Sequence, residues 1–199
     1  MTLLLAAILA AIPAVYGRTG MGHLCPVSAE EAFTAEHVST EPEPIGGRFM
    51  FRQLIFVQRI DGQEATGVVR EVSADRTRDL SRVRIVKGDK FLQWFPIARL
   101  EPAKGDKVFI VGFDWDKGAT PGLVEAKVLH SEGPMLWYDK NAGPGSSGSC
   151  VLTAQKEVVA VNVGYIITDT REIGRGVSVW GRWQRFLLPE GEENEEGEE

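Results

Sequence analysis

The chain has 199 residues, 43% of them hydrophobic, with 22 glycines and 10 prolines. That is the make-up of one large or two small globular domains built from short strands and many turns. The formal net charge of −6 gathers at one end: Glu190–Glu199 hold seven glutamates, and without them 21 acidic residues face 22 basic ones. A nearly neutral body excludes a general nucleic-acid-binding surface.

Residues 2–16 are almost wholly apolar and are interrupted by Pro13. They are short for a membrane span and lack a preceding Lys or Arg, yet they have the apolar core of a signal peptide. Residues 1–13 are therefore expected to be a signal or anchor segment, with the alternative that part of the run, near Ala14–Tyr16, is a first strand. Residues 19–27 read as a strand entered from a glycine turn, in which His23 is expected to be an edge or packing residue. Phe33–Val38 follows a short turn at 28–31. A Pro/Gly loop at 39–48 leads to strands at Phe49–Ile60 and Gly67–Ser73, separated by the polar turn Asp61–Glu64. From Leu80 to Ile85 the residues alternate in type, and Leu, Val and Ile are expected on one face with Ser and Arg on the other. Arg82 and Arg84 imply that this strand's outer face is wet or touches something.

Residues 96–105 read as a crossing between two halves, 14–95 and 106–188. A strand follows over Lys104–Phe113, then a loop in which Asp114 and Asp116 have no further ligands nearby, so no metal is expected. Leu123–His130 and Pro134–Tyr138 are strands, and His130 is expected at a surface or strand end. Val158–Tyr165 and Gly174–Val179 complete the strands. Trp183, Phe186 and Leu187 are spaced as on a short terminal helix. The tail at 189–199 reads as disordered and solvated. Cys25 and Cys150 are too few for a disulfide framework; two buried free thiols are expected in preference to a bond, and the redox compartment stays open.

The stretch that carries chemistry is 143–149, Gly-Pro-Gly-Ser-Ser-Gly-Ser. Three glycines and a proline in seven residues make a tight turn between apolar runs. A serine on such a turn can be a nucleophile, and the turn's own N–H groups can face an oxyanion; a plain glycine-rich hairpin loop remains the alternative. The histidines are His23, His37 and His130, and none follows Ser147, which removes the order Ser…Asp…His. No aspartate precedes Asp61, which removes Asp…His…Ser for His23 and His37. The order His…Asp…Ser survives.

Phe33-Thr34-Ala35-Glu36-His37-Val38 resembles the histidine motif of the trypsin-like serine proteases, a strand running into T-A-x-H. Asp79-Leu80-Ser81-Arg82-Val83-Arg84-Ile85 is similar to that family's aspartate motif, with Asp75 as a rival for the acidic position. Lys104–Phe113 resembles the opening strand of its second barrel. The three motifs stand in the family's order, 42 and 68 residues apart. The resemblance implies an all-β fold of two six-stranded antiparallel β-barrels of the chymotrypsin type with a short C-terminal helix. It implies a serine endopeptidase with Ser147 as nucleophile, His37 as base, Asp79 as its orienting acid, and the N–H groups of Gly145 and Ser147 as oxyanion hole. Asn162, Val163, Gly164 and Gly176 would line the substrate pocket, with Asn141 at its floor. With no acid at the floor and no histidine on the 158–165 strand, a small or uncharged residue is expected there.

Ser146 stands where digestive members of the family carry an aspartate that pairs with a newly cut N-terminus. No such switch is expected, and the loop must be held by its own hydrogen bonds and packing. The expected partner is a polypeptide, with no cofactor or metal and no nucleic acid. Membrane contact is expected only if residues 2–16 are an uncleaved anchor, and the oligomeric state stays open. A secreted or extracytoplasmic site is expected, with an intracellular one as the alternative. A trypsin-like scaffold that binds without cleaving is the competing reading.

Overall fold

The computed structural model describes residues 14–17, 20–42, 49–51, 53–114 and 120–180. The expected signal segment at 1–13, the loop aspartate Asp116, the terminal helix and the acidic tail lie outside the described residues. The first strand, β1 (Ala14–Gly17), begins where the alternative reading of the apolar run put it.

The N-terminal half is an antiparallel sheet of seven strands: β1, β2 (Gly20–His23), β3 (Cys25–Pro26), β4 (Glu31–Ala35), β7 (Gln53–Ile60), β8 (Gln63–Asp75) and β9 (Leu80–Gly88). Their order across the sheet is β2-β1-β7-β8-β9-β4-β3. The two edges, β2 and β3, are consecutive pieces of one segment separated by Leu24 alone. One chain segment thus serves both ends of the sheet, which curls into a barrel of six chain segments and leaves little open edge. Leu24, Leu54, Phe56, Val69, Val83 and Phe91 fill its inside. Asp61 and Gly62 both take positive φ, 49° and 82°, in a two-residue hairpin turn. This turn is tighter than the four-residue one expected, so β8 starts at Gln63. Between β4 and β7, a one-turn helix α1 (Glu36–Ser39) is followed by a ribbon of β5 (Thr40–Pro42) and β6 (Phe49–Phe51). The single strand expected over 49–60 is thus two elements.

The alternation expected on β9 is corrected. Leu80 shares its parity with Arg82 and Arg84, not with Val83 and Ile85. Leu80 packs between the two halves, whereas Val83 points into the barrel. The two arginines do touch something: both bond to Glu31 across the strand pair, at 2.6 Å from Arg82 and 2.5 Å from Arg84. Burial raises the Glu31 pKa, and the two guanidinium groups outweigh it, so the net shift is downward.

The C-terminal half is a closed barrel in the order β10-β11-β12-β15-β14-β13. Its strands are β10 (Lys107–Asp114), β11 (Thr120–Glu132), β12 (Met135–Tyr138), β13 (Cys150–Leu152), β14 (Val158–Ile167) and β15 (Glu172–Ser178). The crossing segment is tied to it by Ala98 N–H to Val158 O at 2.9 Å and Val158 N–H to Pro96 O at 2.8 Å.

One core joins the halves: Cys25, Phe33, Ala35, Leu80 and Phe95 pack with Val111, Cys150, Leu152, Val161, Val163 and Val177. Within it Cys25 and Cys150 form a disulfide across 125 residues of chain. This corrects the expectation of free thiols: burial was right for both, but burial in one shared core places them side by side. Replacing both with alanine is expected to cost about 2–5 kcal/mol, read as a lower urea midpoint. A midpoint equal to that of the oxidised wild type would show that packing alone joins the halves.

Candidate active site

The turn after β4 delivers His37. Ala35 ends the strand in extended conformation, and α1 places His37 on the surface, its side chain 49% exposed. Asp79 reaches it from the turn before β9. Its φ of +61° is a left-handed backbone that Asp tolerates better than most residues. The Asp79 carboxylate lies 2.8 Å and 3.0 Å from His37 Nδ1 and also accepts the His37 backbone N–H at 2.9 Å. Two donors on one carboxylate fix both the ring and the helix that carries it. The Nδ1–H tautomer follows, which leaves Nε2 as the acceptor. Asp75, the rival, is engaged elsewhere: it pairs with Arg78 at 2.8 Å and accepts the Arg78 N–H, closing the turn that presents Asp79.

Behind α1 lies a polar cluster that the sequence reading did not single out. Ser39 Oγ, Ser81 Oγ and Glu71 Oε2 lie 2.8–3.0 Å from one another. Burial raises the Glu71 pKa against the two hydroxyl bonds. The cluster ties the helix to β8 and β9, so His37 stands on a supported turn.

The nucleophile loop is docked onto β2. His23 N–H donates to Ser147 O at 2.8 Å, and His23 Nδ1 donates to Gly145 O at 2.9 Å. Thr34 Oγ1 donates to His23 O at 2.9 Å. Gly148 takes φ +85°, and a Cβ there would collide with His23 O and the Thr34 hydroxyl. Gly22 sits between α1 and the Ser147 loop: a Cβ on it would lie 2.8 Å from Val38 Cγ1 and 3.1 Å from Ser147 O. The residue after His37 and the backbone of Ser147 therefore meet over one glycine. His23, expected to be a packing residue, is buried but holds the loop.

From the other side the loop is held by a buried chain of hydrogen bonds. Ser146 Oγ donates to Gly143 O at 2.6 Å, and Asn162 Nδ2 donates to Ser146 Oγ at 2.9 Å and Ser146 O at 3.1 Å. Tyr138 O–H donates to Asn162 Oδ1. Burial raises the Tyr138 pKa, so its hydroxyl stays a donor. Asn162 was expected to contact substrate; its side chain is instead 1% exposed and fully used within the loop. Gly176 was expected on the pocket wall, yet its Cβ position meets Ala160 and Tyr138 inside the barrel. Val163 is buried in the core between the halves, and Gly164 is half-exposed beside it. Asn141 donates to Glu172 at 2.9 Å and accepts the Gly143 N–H at 2.9 Å.

Among the described residues the N–H groups of Gly145 and Ser147 have no acceptor, and Ser147 Oγ has no hydrogen-bond partner, His37 included. Two free donors and a free hydroxyl on one turn can act on a carbonyl group. The base–nucleophile bond is often long without substrate and tightens with it. No group of His, Cys, Asp and Glu among the described residues could hold a metal.

The clamp has a pH signature. Burial lowers the His23 pKa from 6.5 to about 4, against the Gly145 bond that raises it. A lowered folded-state pKa contributes stability that is present above 6.5 and is lost as pH falls towards about 4. The loss is on the order of 3 kcal/mol. The urea midpoint is expected to fall between pH 6.5 and 4.5, above the main carboxylate range, and His23→Gln should flatten that fall. A wild-type midpoint that is level across this window would refute the assignment. Gly148→Ala is expected to destabilise by more than about 2 kcal/mol through strain and collision, and to slow labelling of Ser147 by a serine-directed probe.

Comparison with known proteins agrees with this architecture. A serine-to-alanine mutant of the Rv3671c protease of M. tuberculosis, in its inactive form, superimposes with a TM-score of 0.64 at 15% identity, over 87% of this chain and 83% of that one. The MamO protease domain of Magnetospirillum magneticum does so at 0.62 and 18%, over 87% and 94%. The serine endoprotease of Yersinia pestis does so at 0.65 and 20%, over 87% of this chain and 60% of that one. At these identities the likeness speaks for the fold. No curated protein sequence matches the chain. The sequence model of the trypsin-like peptidase domain matches residues 20–161, a span that contains His37, Asp79 and Ser147. The chain belongs to the trypsin-like peptidase family and is a serine-type peptidase.

Proposed function

We propose that peptide-bond hydrolysis is carried out by Ser147, His37 and Asp79. The single observation that carries the assignment is the double grip of Asp79 on His37, on a turn that meets the Ser147 loop across Gly22. Ser147 Oγ attacks the scissile carbonyl carbon as its proton passes to His37 Nε2. The carbonyl electron pair moves onto oxygen, where the N–H groups of Gly145 and Ser147 receive it, each donor worth about 3–4 kcal/mol in a related hole. Collapse expels the amine, which takes the proton from His37, and leaves an acyl-enzyme. Water, deprotonated by the same imidazole, releases the acid and restores Ser147. Asp79 stays ionised throughout and stabilises the imidazolium.

The substrate is an extended polypeptide. β14 pairs with β13 only as far as Val161, and Asn162 then turns its N–H and C=O to Ser149 and Gly148 of the loop. From Val163 on, the same edge has no strand beside it among the described residues, and it runs away from Ser147. A peptide laid along it gains backbone hydrogen bonds without regard to sequence. A site outside the reducing cytosol is part of the proposal, supported by the Cys25–Cys150 bond.

A fluorophosphonate is expected to add once to Ser147 by mass spectrometry, and not to a His37→Ala variant. Asp79→Asn keeps a residue that tolerates positive φ. It should lower kcat/KM about 10⁴-fold while the fold stays intact. Absence of any adduct on wild type would select the competing reading, a scaffold that binds without cleaving.

A further inference from the structure

β15 contributes a charged residue, Arg175, to the rim between Trp137 and Gly164. Across the β14–β15 pair Asn162 faces Gly176, Gly164 faces Arg175, and Tyr165 faces Gly174. On the other side Arg175 faces Trp137 of β12. Gly174 and Gly176 turn their Cβ positions towards Tyr138, inside the barrel. Side chains alternate along a strand, so Arg175 lies on the opposite face, with Val177. Val177 belongs to the core shared by the two halves. Arg175 thus continues that face beyond the core, towards Gly164, where the cleft opens. A Cβ placed on Gly164 would meet nothing within 4 Å. Open space therefore stands beside the arginine.

Arg175 is half-buried, its Nε is fully buried without a hydrogen-bond partner, and it has no ion pair among the described residues. Its cross-strand neighbour Trp137 has a buried Nε1 in the same condition. A buried donor without an acceptor is costly, and a partly buried cation without a counter-charge adds to that cost. Arg175 stands between Trp137 on β12 and the open space at Gly164 on β14. The group that answers an unpaired guanidinium is an acceptor with negative charge and no protons of its own to place, which describes a carboxylate.

We propose that Arg175 is a specificity-determining residue of the cleft and receives the carboxylate of an aspartate or glutamate side chain, the substrate residue on the acyl side of the scissile bond. This rests on the peptidase reading above, which makes the Gly164 edge the substrate's path. It replaces the small or uncharged residue expected from Asn141. Asn141 is occupied by Glu172 and the Gly143 N–H, and Gly176 faces inward, which leaves Arg175 as the side chain opposite Gly164.

The test uses internally quenched peptides, amidated at the C-terminus, that differ only in Asp, Glu, Asn or Lys before the bond to be cut. Wild type should cleave the Asp and Glu peptides at least ~10-fold faster than the Asn peptide in kcat/KM, and Arg175→Gln should reduce the acidic substrates ~30-fold while leaving the Asn peptide within about threefold. Arg175→Glu should move the preference to Lys. Fluorophosphonate labelling at the wild-type rate would show that the variants remain folded. Equal cleavage of Asp and Asn peptides by wild type, or an equal loss on every peptide in Arg175→Gln, would overturn the proposal. A second arm does not need catalysis: binding of the same peptides to Ser147→Ala, by fluorescence anisotropy. A preference for Asp over Asn that disappears in Ser147→Ala/Arg175→Gln supports the pocket even if wild type neither labels nor cleaves, in which case only the peptidase reading falls. No preference in this arm sinks the pocket.

Discussion

The contact on which the site depends is the docking of the nucleophile loop against the backbone of β2. A seven-residue turn with three glycines has little reason to hold one shape by itself, because glycine loses more conformational freedom on ordering than any other residue. Here His23 supplies a backbone donor to Ser147 O and a ring donor to Gly145 O. Gly148 is pressed so close to His23 O that only a hydrogen fits. The loop of the C-terminal half is therefore shaped by a strand of the N-terminal half. The same strand segment, through Gly22, abuts Val38 next to His37. One stretch of β2 sets the position of the base and of the nucleophile together.

This arrangement makes the relation between the halves a part of the chemistry. A shift of about 1 Å between base and nucleophile can cost roughly a hundredfold in rate, so the halves have to be held in register. The shared core does this, and Cys25–Cys150 does it covalently. Cys25 follows His23 by two residues and Cys150 follows Ser147 by three, so the bond lies directly behind the docked loop. The buried chain Tyr138–Asn162–Ser146 holds the loop's other side. It uses neutral groups, which avoids the desolvation cost of the aspartate and chain-end pair used by digestive relatives. His23 fits this neutral clamp as an uncharged donor, because burial disfavours its charged form.

The electrostatics divide accordingly. The inner groups that shape the loop, His23, Tyr138, Ser146 and Asn162, are neutral. Charge stands at the cleft, in Asp79 beneath His37 and in Arg175 opposite Gly164. Asp79 has His37 to satisfy it, while Arg175 has no partner among the described residues. An enzyme that binds a charged substrate group keeps the complementary charge unpaired until substrate arrives, at a cost to its own stability.

Much of this was legible in the sequence. The glycine turn around Ser147, the elimination of other triad orders and the strand into T-A-x-H each follow from residue type and order, and Asp79 stands where the aspartate motif puts it. These are local properties: glycine marks a turn, chain order excludes topologies, and alternating side chains mark strands. What spacing could not reveal depends on which distant segments share a core. Cys25 and Cys150 are 125 residues apart, and only the packing of one half on the other makes them partners. His23 looked like a strand residue because its acceptors lie 122 residues away. Leu80 was placed on the wrong face because the strand is buried on both sides, which blurs a period of two. Asn162 and Gly176 left their expected places through contacts with distant segments: Asn162 meets Ser146 and Tyr138, and Gly176 faces Tyr138 inside the barrel. The sequence by itself determined the family and the reaction class, and it singled out the residues proposed to perform the reaction. The tertiary structure decided what holds them in place and what charge the cleft presents, because both arise from contacts between chain segments far apart in order.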